Sequence, residues 1–124
     1  MKIIQAINRL DDLIFNTYTQ QHKVEWLSRL DGMVKKQIID THEGAEDVVF
    51  SGYDDSTDLK KEMLVPAPHD DMYLLWLEAQ IHYHNGEYDK YNNAIIMFNA
   101  AFEAYHAYYN QKHLPVIRGK RFLF

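Results

Sequence analysis

The sequence predicts an all-α fold: a three- to four-helix bundle with a long acidic middle loop and an extended C-terminal tail. Apolar residues recur at spacings of three and four over four separate segments, the signature of amphipathic helices. The chain has 124 residues, a single-domain length that can bury a core. Between Gln37 and Leu59 it carries seven carboxylates and no Lys or Arg, with Gly44 and Gly52 as breaks, so the helical run is interrupted there. The expected helices lie near 2–14, 19–41, 70–85 and 87–111, with a projecting loop at 43–69 and a tail at 114–124.

In the first helix, Ile3, Ile7, Leu10 and Ile14 form one apolar stripe. Asn16-Thr17-Tyr18-Thr19 supplies turn and N-cap chemistry, so a second helix starts near Thr19. Its stripe is Val24, Leu27, Leu30, Val34 and Ile38, widened by Trp26 and Met33. Gly32 inside it weakens a helix by about 1 kcal/mol relative to Ala, and predicts a kink or a close approach.

The loop is too apolar for a disordered linker. Val48-Val49-Phe50 and Met63-Leu64-Val65 are β-prone and can pair as a small hairpin. Pro68 bars a helix from continuing backwards, and Asp70 or Asp71 can cap the third helix. Tyr73, Leu74, Trp76, Leu77 and Ile81 cover more than half the circumference of that helix, which predicts burial. Asn85-Gly86 suits a left-handed stop, and the fourth helix follows at once as an antiparallel partner. Its stripe (Tyr91, Ile95, Phe98, Phe102, Tyr105, Tyr109) is flanked by a second one (Ala94, Met97, Ala101, Ala104, Tyr108), a face wider than one partner helix needs. Tyr91, Tyr105, Tyr108 and Tyr109 are therefore candidates for a subunit interface.

Composition excludes several functions. With no cysteine, neither a disulfide framework nor a thiolate metal site can form. No apolar run reaches the roughly 18 residues of a membrane helix, and the start predicts no signal peptide, so an intracellular, non-membrane protein is expected. A net charge of -5 argues against gripping nucleic acid. The charge is uneven: no acid follows Glu103, whereas Lys112, Arg118, Lys120 and Arg121 do. An acidic middle and a basic end mark either two surfaces with different neighbours or a solvated loop and tail.

Catalytic constellations are incomplete. Glu103 and His106 form one Glu-x-x-His, but a di-iron bundle needs two such motifs and two further Glu residues, and Glu78 with His82 has the wrong spacing. His82 and His84 lie about 200° apart on a helix and cannot share an ion there. Calcium-loop registers starting at Asp54 or Asp47 fail at required positions. No Gly-x-Ser-x-Gly elbow or Gly-rich phosphate loop is present. The reading is not an enzyme, with no catalytic residue, no metal and no cofactor. The helix-four aromatics lack the basic groove of a single-strand stacking platform, so core and interface roles are expected for them.

The tail Val116-Ile117-Arg118-Gly119-Lys120-Arg121-Phe122-Leu123-Phe124 alternates apolar and basic residues and ends on three large apolar ones. Such an end calls for cover, from a partner protein or from the chain's own helices.

Glu25-Trp26-Leu27-Ser28-Arg29-Leu30-Asp31-Gly32, Ile39-Asp40-Thr41-His42-Glu43-Gly44, Leu64-Val65-Pro66-Ala67-Pro68 and the helix Asp71–Tyr91 with its Asn85-Gly86-Glu87-Tyr88 together resemble small capsid-adjacent proteins of tailed bacteriophages and prophages. These look like the head–tail connector (adaptor) family, and the resemblance covers nearly the whole chain. It implies a structural virion protein, present in the host cytoplasm during assembly, that forms a ring of about a dozen subunits and can wait as a monomer in solution. The implied partners are the portal protein, other head–tail proteins and further copies of the chain. DNA passes through without being specifically bound. Glu43, Glu46, Asp47, Asp54, Asp55 and Asp58 are then candidates for an acidic lumen or ring-edge loop. Val116, Ile117, Arg118, Lys120, Arg121, Phe122, Leu123 and Phe124 are candidates for a portal-docking tail. The alternative from another class is a small non-enzymatic prophage regulatory or interaction protein, acting as monomer or dimer. A metal-dependent helical-bundle enzyme is the third.

Overall fold

The computed structural model describes residues 1–116. Within them the chain is mostly helical, with four α-helices and no strand: α1 (Ile3–Leu13), α2 (Gln20–Gln37), α3 (Met72–His84) and α4 (Tyr88–Lys112). No helix among these residues is long and apolar enough to cross a membrane. α3 is the central element. It packs most extensively on α4 and also touches α1 and α2, while α1 and α2 touch each other. That position answers its composition, because Met72, Tyr73, Leu77, Ala79 and Ile81 are all buried and a helix apolar around its circumference needs neighbours on several sides.

α1 buries Ile3, Ala6, Ile7 and Leu10 along one face, each large side chain contributing about 2 kcal/mol relative to exposure. Its free N-terminal amides are satisfied by the middle loop: Ile3 N donates to the Lys61 carbonyl (3.1 Å) and Ile4 N to the Leu59 carbonyl (2.9 Å). At the start of α2, the Thr19 hydroxyl accepts from His22 N at 3.2 Å, the cap the sequence indicates. α2 ends at Gln37, short of Thr41, and a separate 3-10 turn, Ile39–Thr41, carries the chain to His42. Gly32 makes no special close approach. A Cβ there would stand an ordinary 3.9 Å from Phe50 Cε2. Gly86 does require its glycine, since its φ of +75° is the left-handed stop between α3 and α4.

The start of α3 differs from expectation. Neither Asp70 nor Asp71 caps it with its side chain. A 3-10 turn, His69–Asp71, runs straight into the helix and holds Asp71 at helical angles (φ -58°, ψ -22°), so the extended geometry of an N-cap is not available. The Asp70 carboxylate instead lies 3.5 Å from the Met1 amino group.

The loop between α2 and α3 folds back rather than projecting. Tyr53, Met63 and Val65 are buried, at 6%, 6% and 0% exposure. The hairpin that Val48-Phe50 and Met63-Val65 can form is not present among the described residues. The only pairings of strand type there are two isolated bridges, Lys2 with Glu62 and His42 with Pro115. The amides of Met63, Leu64 and Val65 have other partners: the Met1 carbonyl (3.0 Å), Asp31 (3.1 Å) and the Tyr73 hydroxyl (2.8 Å).

Candidate functional site

The polar centre of the fold is Asp31. It sits on α2 four residues after Leu27 and three before Val34, so it falls inside the buried face and is 0% exposed. A carboxylate there needs donors, and three converge on it: the Tyr53 hydroxyl at 2.5 Å, the Tyr73 hydroxyl at 2.6 Å and Leu64 N at 3.1 Å. Tyr73 in turn accepts from Val65 N, and Tyr53 N donates to the Ser28 hydroxyl at 2.9 Å. The loop is thereby tied to α2 and α3 at its middle, through Tyr53, and toward its end, through Leu64 and Val65. Burial pushes the Asp31 carboxyl above its ordinary value, against the pull of these hydrogen bonds. Burial and the neighbouring Asp31 charge likewise drive the Tyr53 and Tyr73 hydroxyls up, so both remain donors. Fully buried and accepting from three donors, Asp31 holds the loop against α2 and α3.

A second tie lies at His42, 2% exposed. Its Nδ1 is 2.6 Å from the Ile38 carbonyl, and its Nε2 is 2.6 Å from Asn110 Oδ1 on α4. Tyr109 stands edge-on to the ring at 4.9 Å and stacks on His113 at 3.9 Å. Next to this cluster the chain leaving α4 pairs with the start of the loop: Glu43 N donates to the Leu114 carbonyl (2.8 Å) and Val116 N to the Thr41 carbonyl (2.7 Å). The tail's base is fixed at Val116. The other tail candidates, Ile117, Arg118, Lys120, Arg121, Phe122, Leu123 and Phe124, lie outside the described residues.

The acidic candidates share one property. Glu43, Glu46, Asp47, Asp54, Asp55 and Asp58 are all exposed, while Tyr53, Met63 and Val65 of the same loop are buried and Val49 is exposed. Asp54 is the most organised of them. Its carboxylate accepts from Ser56 N (2.9 Å) and the Ser56 hydroxyl (2.6 Å), and these bonds hold its pKa below the ordinary value.

The tyrosine candidates divide. Tyr105 and Tyr109 are 3% and 7% exposed, packed in the chain's own core, so the expected subunit contact narrows to Tyr108 and the half-buried Tyr91. Burial, with Tyr109 and Asp31 nearby, pushes the Tyr105 hydroxyl up to about 12. A stacking platform along α4 is likewise broken up by this burial.

Elsewhere, His82 lies 3.1 Å from Glu87 and 3.6 Å from Glu78, and the bonds Glu87 accepts from His82, Asn85 and Lys90 lower its pKa to about 2. His84 stacks on Trp26 at 5.3 Å. Glu103 is exposed and His106 half-buried. Among the described residues no group of three His, Cys, Asp or Glu side chains is placed to hold a metal ion. Lys23 is 4% exposed and reaches Asp11 at 2.7 Å. Burial pushes the Asp11 carboxyl up, but hydrogen bonds from Lys23 and Asn16 outweigh it and leave the pKa lowered.

Sequence reasoning missed the Asp31–Tyr53–Tyr73 node, although a carboxylate set within an apolar helical stripe was a readable signal. It also missed the exposed pair Leu13 and Phe15 at the end of α1, at 73% and 90% exposure. Comparison with family models, curated proteins and solved structures finds no match to this chain.

Proposed function

We propose that the chain is a structural protein of a tailed-bacteriophage particle, a non-enzymatic head–tail connector (adaptor) that forms a ring under the portal. The observation that carries this reading is where the phage-like segments meet. Asp31 of the first segment accepts from Leu64 of the third, and the Trp76 indole N–H donates to the Trp26 carbonyl at 2.8 Å. His42 of the second segment joins the loop to α4. These residues brace a fold and do not surround a reactive cleft, which suits a protein whose work is to hold shape in an assembly.

Charge supports the same reading. Six outward carboxylates make a surface that repels phosphate, which lets DNA pass a lumen or ring edge without sticking. The basic and apolar composition after Val116 suits docking onto the portal, and the base of that segment is anchored beside His42 by the bond from Val116 N to the Thr41 carbonyl. In dilute solution the chain waits as a monomer, and the portal templates the ring of about a dozen copies.

The test is binding to the portal protein encoded by the same genome, followed by native mass spectrometry. The full chain should bind as a ring. A chain lacking residues 116–124 should lose binding by at least about a hundredfold while keeping its helicity by circular dichroism. Undiminished binding by the shortened chain overturns the docking role of the tail. No binding by the full chain overturns the connector reading and favours a regulatory or interaction protein.

A further inference from the structure

Two apolar surfaces lie on opposite flanks of α3. On one, a cleft of about 550 Å³ is walled by Leu13, Phe15 and Met97, with Glu78 and His82 on its α3 side. On the other, a groove of about 430 Å³ between α2 and α3 is lined by Gly32, Met33, Trp76 and Gln80 and rimmed by Arg29 and Lys36. Glu78 and His82 stand about 200° round the helix from Trp76 and Gln80, so the two surfaces face nearly opposite ways.

Their chemistry is complementary. The first flank carries a protruding knuckle at the end of α1: Leu13 and Phe15 are 73% and 90% exposed, and the neighbouring Asp12 is exposed with no ion pair among the described residues. The groove offers an apolar floor and two cations. Lys36 is exposed with no ion pair among the described residues, and Arg29 meets only the exposed Glu25 at 3.4 Å. An exposed pair this large is unfavourable unless something covers it.

We propose that the Asp12–Leu13–Phe15 knuckle of one copy seats in the Arg29–Met33–Lys36 groove of the next. Phe15 enters over Gly32 and Met33, and Asp12 meets Arg29 and Lys36. The contact is heterologous, with each copy using a different surface on each side, so copies add in one sense and close into a ring when the rotation allows. It rests on the ring reading above for its partner and names the two surfaces. A knuckle in a groove is a small interface, so free copies associate only at high concentration and gain from closure, in which every copy makes two contacts.

The test uses two surface variants and their mixture, read by light scattering and native mass spectrometry up to about 1 mM protein. One is Asp12→Lys with Phe15→Asp and the other Arg29→Glu with Lys36→Glu. All four side chains are exposed, so helicity by circular dichroism should be unchanged in both. The full chain should grow beyond a dimer as concentration rises. Each variant alone should stay monomeric to at least about tenfold higher concentration, since each has lost one half of the contact. An equimolar mixture should give a one-to-one dimer and nothing larger, because one intact knuckle then meets one intact groove. A full chain that stays monomeric, variants that associate as it does, or a mixture that stays monomeric overturns the proposal. If the variants still associate while the full chain binds the portal, the surface assignment fails and the connector reading stands. If the portal does not bind but the mixture dimerises, the reverse holds.

Discussion

At Asp31 three donors converge on a carboxylate that has left water, and the balance of those two facts has measurable consequences. Tyr73 both donates to Asp31 and accepts from Val65 N, whereas the Tyr53 hydroxyl only donates to Asp31. Tyr73→Phe should therefore destabilise by about 2–3 kcal/mol and Tyr53→Phe by about 1 kcal/mol, as read by urea denaturation. Equal losses would show that the Val65 bond contributes nothing. The pH dependence follows from the raised Asp31 pKa, whose largest cause is burial. The native state binds this proton more tightly than the unfolded chain, whose Asp titrates near 3.8, so the group's contribution is greatest below that pH. Stability should fall as pH rises from there through the native pKa; the fall should be missing in Asp31→Asn and so remain in the difference between the protein and that variant. A difference that rises with pH over that window would show that the hydrogen bonds outweigh burial. Glu87 acts with the opposite sign: its pKa is lowered to about 2, so what it contributes is present above the ordinary Glu range and is lost as pH falls toward 2.

At the scale of elements, helices were legible in the sequence where periodicity and stop signals agree. The apolar spacing of Ile3, Ile7 and Leu10, the Thr19 cap and the Asn85-Gly86 stop each correspond to observed features within a residue or two. The loop was not legible, because its conformation is decided by partners far away in the chain. Leu64 takes its acceptor from Asp31, and Met63 from Met1. β-propensity in Val48-Phe50 and Met63-Val65 is a local preference, and it loses to buried acceptors that only the tertiary fold supplies. The same holds for the tyrosines of α4: periodicity marks a wide apolar face but not which part of it α3 covers. Gly86 gives the sharpest local test. Gly86→Ala must hold a Cβ at a φ of +75°, and should cost about 1 kcal/mol in thermal or urea unfolding. No loss would mean that the α3–α4 turn relaxes to another geometry.

At the scale of the whole molecule, the middle segment has two jobs that its composition alone could not separate. Tyr53, Met63 and Val65 close the core over Asp31, and the six carboxylates from Glu43 to Asp58 are left outside. The loop is thus part of the fold, and its charge is a surface property of a braced body rather than of a free arm. The opposing flanks of α3 and the anchor at Val116 are the surfaces to which the proposed neighbours and portal are assigned. As proposed, this chain is a structural part of a phage particle. The most direct measurement is cryo-electron microscopy and quantitative mass spectrometry of purified particles from the phage or induced prophage that encodes it. About a dozen copies per particle are expected, seen as a helical ring against the portal. Particles that carry intact tails but none of this chain would contradict it.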